Sequence, residues 1–467
     1  MLALAAAFLP VGCAAEAQVA APERPNILVV LTDDQPYYTT AQMPKLQSGL
    51  VERGVSFSRA FLVDPLCCPT RATILTGKYT HSHHIISNAL PGSGAKKFRQ
   101  DGLEKDTVAT RLDAMGYSTG LFGKYLNGYD GKWIPPGWER WFAFVGDINR
   151  EDSYNVKDEG GVRTFSRQKW HETDLVADRA ARFIEGHQEG PWFALVAPHA
   201  PHGPYGGSFV PDRHRHDFDG ARRAAADVPS FDEADISDKP FDAPRLSADE
   251  KREIQKAYEG KLEALQAVDD LVDELLGKLE ATGQLDNTYV VYLTDNGYLL
   301  GEHRLTEKGQ PYEESIRTPL IIRGPGVPSG QTRSQLAADV DLAPTIAGWT
   351  ETDASGYDGR TLAPLLSDSP PQQWREALLI EHFIEAEGVP FSGVRTERYA
   401  YFERSRTGKK ELYDLDAERY QLHNLFKPDQ QNPPPPDPEL VAYLEDRLGE
   451  LESCSGDGCR SAENQAP

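Results

Sequence analysis

The sequence predicts an α/β fold, a large β-sheet sandwiched between helices, followed by a small C-terminal α+β domain containing an antiparallel sheet. Three observations predict it. Four short apolar runs each end in polar residues with chemistry to offer, one long amphipathic helix leads directly into the last of those runs, and beyond about Arg375 the pattern changes to short alternating segments. A chain of 467 residues, 39% of them hydrophobic, has the length for one large domain with an appendage and the apolar content for a sizeable core.

Residues 1–21 are set apart as a leader. The stretch MLALAAAFLPVGCAAEAQ is small and apolar, too short for a membrane span of about 20 apolar residues, and reads as the hydrophobic region of an export signal. Ala15-Glu16-Ala17 fits an A-x-A cleavage site, whereas Gly12-Cys13 resembles the end of a bacterial lipobox, with Pro10 departing from the usual apolar residue. Either route predicts an exported protein that is secreted, periplasmic or lipid-anchored at the cell surface.

Residues 22–374 carry the four runs and are expected to form the catalytic α/β domain. NILVVLT (26–32) ends in Asp33-Asp34, STGLF (118–122) in Gly123-Lys124, WFALVA (192–197) in PHAPH, and YVVYLT (289–294) in Asp295-Asn296. Continuous apolar runs mark strands buried on both faces, as in parallel sheets. In open α/β sheets, ligands bind at the carboxyl ends of the strands, so the four endings predict one site above one sheet. The helix is expected over 247–282, where Leu262, Leu265, Val268, Val272, Leu275 and Leu279 recur at three- and four-residue steps and Gly283 supplies a stop. Segments 125–165 and 205–245 read as surface loops that set substrate choice, the second lining the entrance.

The C-terminal domain is expected over 375–452. ALLIEHF, SGVRTERYAYFER and KKELYDLD read as short strands of an antiparallel meander, NPPPPDPEL as a stiff linker, and Asp437-Pro438 as the start of a last helix. Residues 453–467 read as a disordered tail. Within it, Cys454 and Cys459 either close a small disulfide loop, as suits an exported protein, or remain exposed thiols.

Charge narrows the function. With 49 basic against 72 acidic residues the net charge is -23, which excludes a nucleic-acid partner and serves solubility, while leaving room for a local basic pocket. Asp33, Asp34, Asp295 and Asn296 offer three carboxylates and an amide oxygen, a set that suits a hard divalent cation, Ca²⁺ or Mg²⁺; no Cys/His spacing resembles a zinc site. Lys124, Lys308 and Arg71 together would bind a tetrahedral oxyanion such as sulfate or phosphate. His202, in PHAPHGP, has the chemistry to protonate a leaving oxygen, and His199 reads as a hydrogen-bonded turn residue. Taken singly, each of these is equally a cap, a turn or a solvated charge.

The motifs occur together, and in order. CCPTRATILTG matches the signature Cys-x-Pro-Ser/Thr-Arg followed by Thr-Gly, and it stands with NILVVLTDD, GKYLNGY, PHAPHGP, TDNGYLLGEHRLTEKGQPYEESIRTPLI and ELYDLDAERYQLHNL. On these the chain, from about residue 25 to 425, resembles the formylglycine-dependent type I sulfatases of the alkaline phosphatase superfamily. In motif form it is nearest the N-acetylglucosamine-6-sulfatases and arylsulfatases. The resemblance implies a mixed sheet of alkaline phosphatase type and hydrolysis of sulfate esters, with a sulfated small molecule or glycan as substrate. It implies that Cys67 is oxidised to Cα-formylglycine by dedicated maturation machinery, because only Cys67 has Pro two residues later and Arg four later; Cys68 fills the variable position. One hydroxyl of the hydrated aldehyde, activated by the cation and Arg71, would attack sulfur, and the second would let the enzyme expel sulfate. Asp33, Asp34, Asp295, Asn296 and the modified Cys67 would ligate the cation, most often Ca²⁺ in this family. Lys124 and Lys308 would hold sulfate oxygens, and His202 would aid departure of the leaving group.

Gly123-Lys124-Tyr125-Leu126-Asn127 departs from the Gly-Lys-x-His of many sulfatases. One of His81, His83 or His84 is the candidate to replace the missing histidine, the plainer alternative being that these shape the substrate pocket. Two other functions stay open on the sequence: a phosphodiester or phosphonate-ester hydrolase of the same superfamily, and a non-catalytic protein that binds sulfated glycans, should Cys67 stay a thiol.

Overall fold

The computed structural model describes residues 24–88, 93–146, 148–203, 209–222, 228–384, 388–426 and 436–465. The expected leader, Cys13 included, lies outside the described residues, as do parts of the proline linker and of the 205–245 segment.

Among the described residues ten strands build the main sheet: β1 (Asn26–Thr32), β2 (Val55–Phe57), β3 (Ser118–Gly123), β4 (Arg140–Val145), β5 (Ser153–Asp158), β6 (Gly161–Ser166), β7 (Trp192–Ala197), β8 (Thr288–Thr294), β9 (Leu320–Arg323) and β10 (Gln331–Arg333). They lie in the order β10-β2-β9-β8-β1-β7-β3-β4-β5-β6. The four apolar runs are the adjacent strands β8, β1, β7 and β3, all parallel, with Ile27 opposite both Tyr289 and Phe193, and Ser118 opposite Trp192. β4 extends this parallel set beside β3, and antiparallel partners lie outside it, β9 against β8 and β5 against β4, so the sheet is mixed.

Successive side chains of β1 enter two different cores, which is why the run is apolar throughout. Ile27, Val29 and Leu31 pack with Cys68, Ala72 and Leu75 of α1 (Cys67–Thr76). Leu28 and Val30 pack with Val176 and Ala180 of α2 (Glu172–Gly186) and with Leu265 and Val268 of α3 (Ala248–Ala281). The helix α3 fills the expected 247–282 interval. Ser247 caps it in a reciprocal box with Glu250, and Gly283 follows the C-cap at φ 69°. The 125–165 segment is not a loop: it supplies β4, β5 and the start of β6, because its aromatic residues Trp141, Phe142 and Phe144 are buried against the rest of the sheet.

The C-terminal sheet is an antiparallel meander of β11 (Ala377–His382), β12 (Phe391–Thr396), β13 (Tyr399–Arg404) and β14 (Lys410–Asp414). SGVRTERYAYFER supplies two of these strands, turned where Tyr399 N–H donates to Thr396 Oγ1 at 2.8 Å. The last predicted helix is α4 (Pro438–Leu451), with the Asp437 carboxylate accepting from Glu439 N–H at 2.9 Å. No helix of the described residues is long and apolar enough to cross a membrane.

The expectation of a disordered tail from residue 453 is corrected by the structure. Cys454 forms a disulfide with Cys459, which lies on a helix α5 (Asp457–Glu463). The Glu463 carboxylate, fully buried, accepts from Tyr79 Oη at 2.7 Å and Arg360 Nη2 at 2.6 Å and pairs with Arg375 Nε at 3.4 Å. Polar composition hid this because every partner is distant in sequence. Removing one partner of a buried ion pair strands the other charge, so Glu463→Ala is expected to lower unfolding free energy by about 3–5 kcal/mol; chemical denaturation checks this, and a loss under 1 kcal/mol (roughly an exposed pair's worth) would contradict it.

Candidate active site

Four strand ends and one helix start meet above the sheet. Neighbouring strands are about 4.8 Å apart, so the turns leaving β8, β1, β7 and β3 bring their side chains into mutual reach. Cys67 is the first residue of α1, preceded by Leu66 in extended conformation, so it stands at the positive end of the helix dipole. Its Sγ lies 3.2 Å from Asn296 Oδ1, 3.5 Å from Asp33 Oδ1 and 2.9 Å from Lys308 Nζ. One ligand atom from each of Asp33, Asp34, Cys67 and Asp295 falls within 4.8 Å of the others. Asn296 Nδ2 donates to Asp34 Oδ1 at 2.6 Å, which leaves its Oδ1 directed at Cys67. Cys68 turns away into the apolar core.

Three cations face the carboxylates. Arg71 Nε donates to Asp295 Oδ2 at 2.7 Å and Nη1 to the Lys124 carbonyl at 2.8 Å. Its Nη2, 3.8 Å from Asp33 Oδ2, is buried with no hydrogen-bond partner among the described residues. Lys124 pairs with Asp33 and Lys308 with Asp34. Burial alone would raise Asp33 and Asp34, but Lys124 beside the first and Lys308 beside the second hold both well below the usual carboxylate range. Asp295 is raised by burial and by Asp33. Burial, with Asp295 adjacent, pushes the Cys67 thiol up to about 12. The donor set of buried carboxylate and amide oxygens fits a hard divalent cation, whose charge would relieve the repulsion among three converging carboxylates.

A family model described as Sulfatase matches residues 25–352, and one described as N-sulphoglucosamine sulphohydrolase, C-terminal, matches residues 301–452. The chain belongs to the sulfatase family. It is thus a sulfuric ester hydrolase by family. N-acetylglucosamine-6-sulfatase from Homo sapiens is 31% identical to this sulfatase over 96% of its chain and 88% of the human protein. Its fold is shared with a protein solved in complex with its substrate D-glucosamine-2-N,6-O-disulfate (TM-score 0.75, 23% identity, 95% of this chain and 99% of that one). It is also shared with the phosphonate monoester hydrolase of Silicibacter pomeroyi (TM-score 0.68, 22% identity, 90% and 93% covered).

The residues given cation, sulfate or leaving-group roles, Asp33, Asp34, Cys67, Arg71, Lys124, His202, Asp295, Asn296 and Lys308, converge on one place. His202 Nε2 is 3.7 Å from Asp34 Oδ2, and its side chain is 27% exposed. His199 is brought there too: its ring packs on that of His202 at 4.5 Å, and its Nδ1 lies 3.5 Å from Glu172 Oε1 on α2. The histidines after α1 are engaged elsewhere. His81 uses its ring nitrogens on Glu381 and the Cys454 carbonyl, and His83 uses its own on Thr73 Oγ1 and Ile85 N–H. Neither has a nitrogen left for proton transfer at Cys67, and His84 is an exposed left-handed C-cap. A cavity of about 450 Å³ between Tyr37, Arg317, Arg395 and Tyr420 is lined by none of the residues that carry the chemistry.

Sequence reasoning missed Lys261, which is buried on α3 with its ammonium on the Asp34 carbonyl at 2.8 Å. The signal was present: a lysine interrupts the apolar stripe between Tyr258 and Leu262.

Proposed function

We propose that this sulfatase is exported and removes sulfate from a sulfated carbohydrate, using a formylglycine made from Cys67 and a divalent cation, Ca²⁺ or Mg²⁺, held by Asp33, Asp34, Asp295 and Asn296. The observation that carries this reading is the place of Cys67: first residue of a buried helix, within hydrogen-bonding reach of ligand oxygens of Asp33 and Asn296 and of the Lys308 ammonium. The carbohydrate class rests on the likeness to N-acetylglucosamine-6-sulfatase. A bound cation would polarise the sulfate and lower the pKa of the attacking hydroxyl. The hydrated aldehyde would supply that hydroxyl, and its second hydroxyl, on losing a proton, would restore the aldehyde as the carbon–oxygen bond to sulfate breaks.

The chain's own residues do the rest. Lys124, paired with Asp33, and Lys308, paired with Asp34 and 2.9 Å from Cys67 Sγ, would bind the outer sulfate oxygens as these take on charge. Arg71 spends two donors on Asp295 and the Lys124 carbonyl, which fixes its plane and leaves Nη2 for the nucleophile or an oxyanion. His202, partly exposed beside Asp34, would supply the proton to a leaving sugar oxygen.

Peptide mass spectrometry across residues 60–78, with a chelation-and-readdition assay, tests the reading. The expected result is an aldehyde at Cys67, and aryl sulfatase activity lost to chelator and restored by Ca²⁺ or Mg²⁺. A free thiol at Cys67 in the native host would overturn it and favour non-catalytic glycan binding. The shared fold of the phosphonate monoester hydrolase supports one second reading, a phosphoester or phosphonate-ester hydrolase. Higher kcat/KM on the nitrophenyl phosphodiester than on the nitrophenyl sulfate would establish it.

A further inference from the structure

Three turns that carry the chemistry meet at one buried ammonium group. Lys261, on α3, is 0% exposed. Its Nζ donates to the Asp34 carbonyl at 2.8 Å, lies 3.5 Å from the Pro201 carbonyl, and stands 3.8 Å from the ring centroid of Tyr298. Asp34 belongs to the turn after β1, Pro201 to the turn after β7 that carries His199 and His202, and Tyr298 to the segment after β8, just past Asp295 and Asn296. The residue at position 34 has φ 62°, a left-handed conformation. That turn sends the Asp34 carboxylate into the cluster with Asp33 and Asp295 while its carbonyl faces α3.

Packing does not account for a lysine here. Its neighbours on the same stripe are Tyr258, Leu262 and Leu265, all buried, and an apolar side chain would complete that stripe without the desolvation an ammonium suffers. The two carbonyls and the aromatic face compensate the charge, and in doing so they tie three separate segments to one rigid helix.

We propose that Lys261 is a positioning residue for the cation site: it holds the turns after β1, β7 and β8 in the arrangement that gathers Asp33, Asp34, Asp295 and Asn296 beneath His202. It touches no reacting atom and acts through the Asp34 and Pro201 carbonyls. The inference rests on the reading of the carboxylate cluster as a divalent-cation site, so its test reads cation binding and catalysis separately.

The test uses the full chain, depleted of metal by chelator. Lys261→Met keeps the length and removes the charge. Its Tm without added cation is expected to stay near that of the wild type, because relief of a buried charge's desolvation offsets the carbonyl acceptors left without their donor. Its Ca²⁺ midpoint for thermal stabilisation is expected to rise, and its kcat/KM on nitrophenyl sulfate to fall, each by about 10–100-fold, the usual range for partners that orient metal ligands. Lys261→Arg retains a cation able to span both carbonyls and is expected to recover most of both quantities. A Met variant with wild-type midpoint and kcat/KM overturns the proposal, as does an Arg variant no better than Met. If the Met variant does not fold, a folded Arg variant decides: a near-wild-type Ca²⁺ midpoint supports the positioning role and a lost one overturns it. A wild-type chain that shows no response to Ca²⁺ or Mg²⁺ would overturn the cation-site reading, and this inference with it.

Discussion

Cys67→Ala is expected to lower turnover of an aryl sulfate by roughly 10⁴–10⁶-fold, the loss seen when a catalytic nucleophile is removed, while Cys68→Ala remains within about threefold of wild type. The two cysteines are adjacent, both buried, and chemically identical as encoded, so composition cannot separate them. Geometry does. Cys67 Sγ lies among Asp33, Asn296 and Lys308, whereas Cys68 packs with Ala72 and Leu75 on the sheet side of α1. On the proposed reading, alanine at 67 would have no sulfur to oxidise and no oxygen with which to attack. Alanine at 68 removes one small apolar contact, at a stability cost of about 1 kcal/mol. The measurement is kcat for both variants at saturating nitrophenyl sulfate, with circular dichroism to establish folding. Equal losses in the two variants would mean that the effect comes from packing of α1 and not from chemistry at Cys67.

The parts of this site that were legible in the sequence are those whose signal is local. β8, β1, β7 and β3 announce themselves because both faces are covered, so each is dominated by apolar residues up to the strand end. The residues that follow are then free to be polar, and that abrupt change marks Asp33-Asp34, Lys124, the PHAPH turn and Asp295-Asn296. Cys67 and Arg71 lie four residues apart on one helix, so a short motif captures both. What stayed hidden depends on contacts between distant segments. The 125–165 stretch reads as loop because its strands lie toward the sheet edge, where β5 alternates in burial with Ser153, Asn155 and Lys157 on its more exposed face and β6 has no buried residue. Glu463 looked like one more acid on a polar tail, although its partners Tyr79, Arg360 and Arg375 lie between 88 and 384 residues away, and only the fold brings them together. His81 and His83 illustrate the opposite error: nearness in sequence to the nucleophile made them attractive, yet each ring is already committed to neighbours that hold the segment after α1 in place.

His202→Ala is expected to separate substrates by leaving group. A sugar alkoxide is a poor leaving group and needs a proton as the ester bond breaks, whereas nitrophenolate departs without one. Turnover of a sulfated N-acetylglucosamine is therefore expected to fall by about 10²–10⁴-fold and that of nitrophenyl sulfate by less than about tenfold. The pH dependence carries the same signature. Burial lowers the His202 pKa below its ordinary 6.5, with Asp34 opposing the shift. The acid form is thus present at low pH and is lost as pH rises through a value under 6.5. So kcat/KM for the sugar sulfate should decline on the alkaline side of that value, and the variant should lack this limb. His199 provides the internal control. It is nearly inaccessible, its ring packs on His202 at 4.5 Å, and Glu172 sits 3.5 Å from its Nδ1, so His199→Ala should loosen His202 and reduce both activities to a similar degree. If His199→Ala instead shows the leaving-group selectivity and His202→Ala does not, the proton donor is the first histidine of the turn, and His202 is the residue that packs against it.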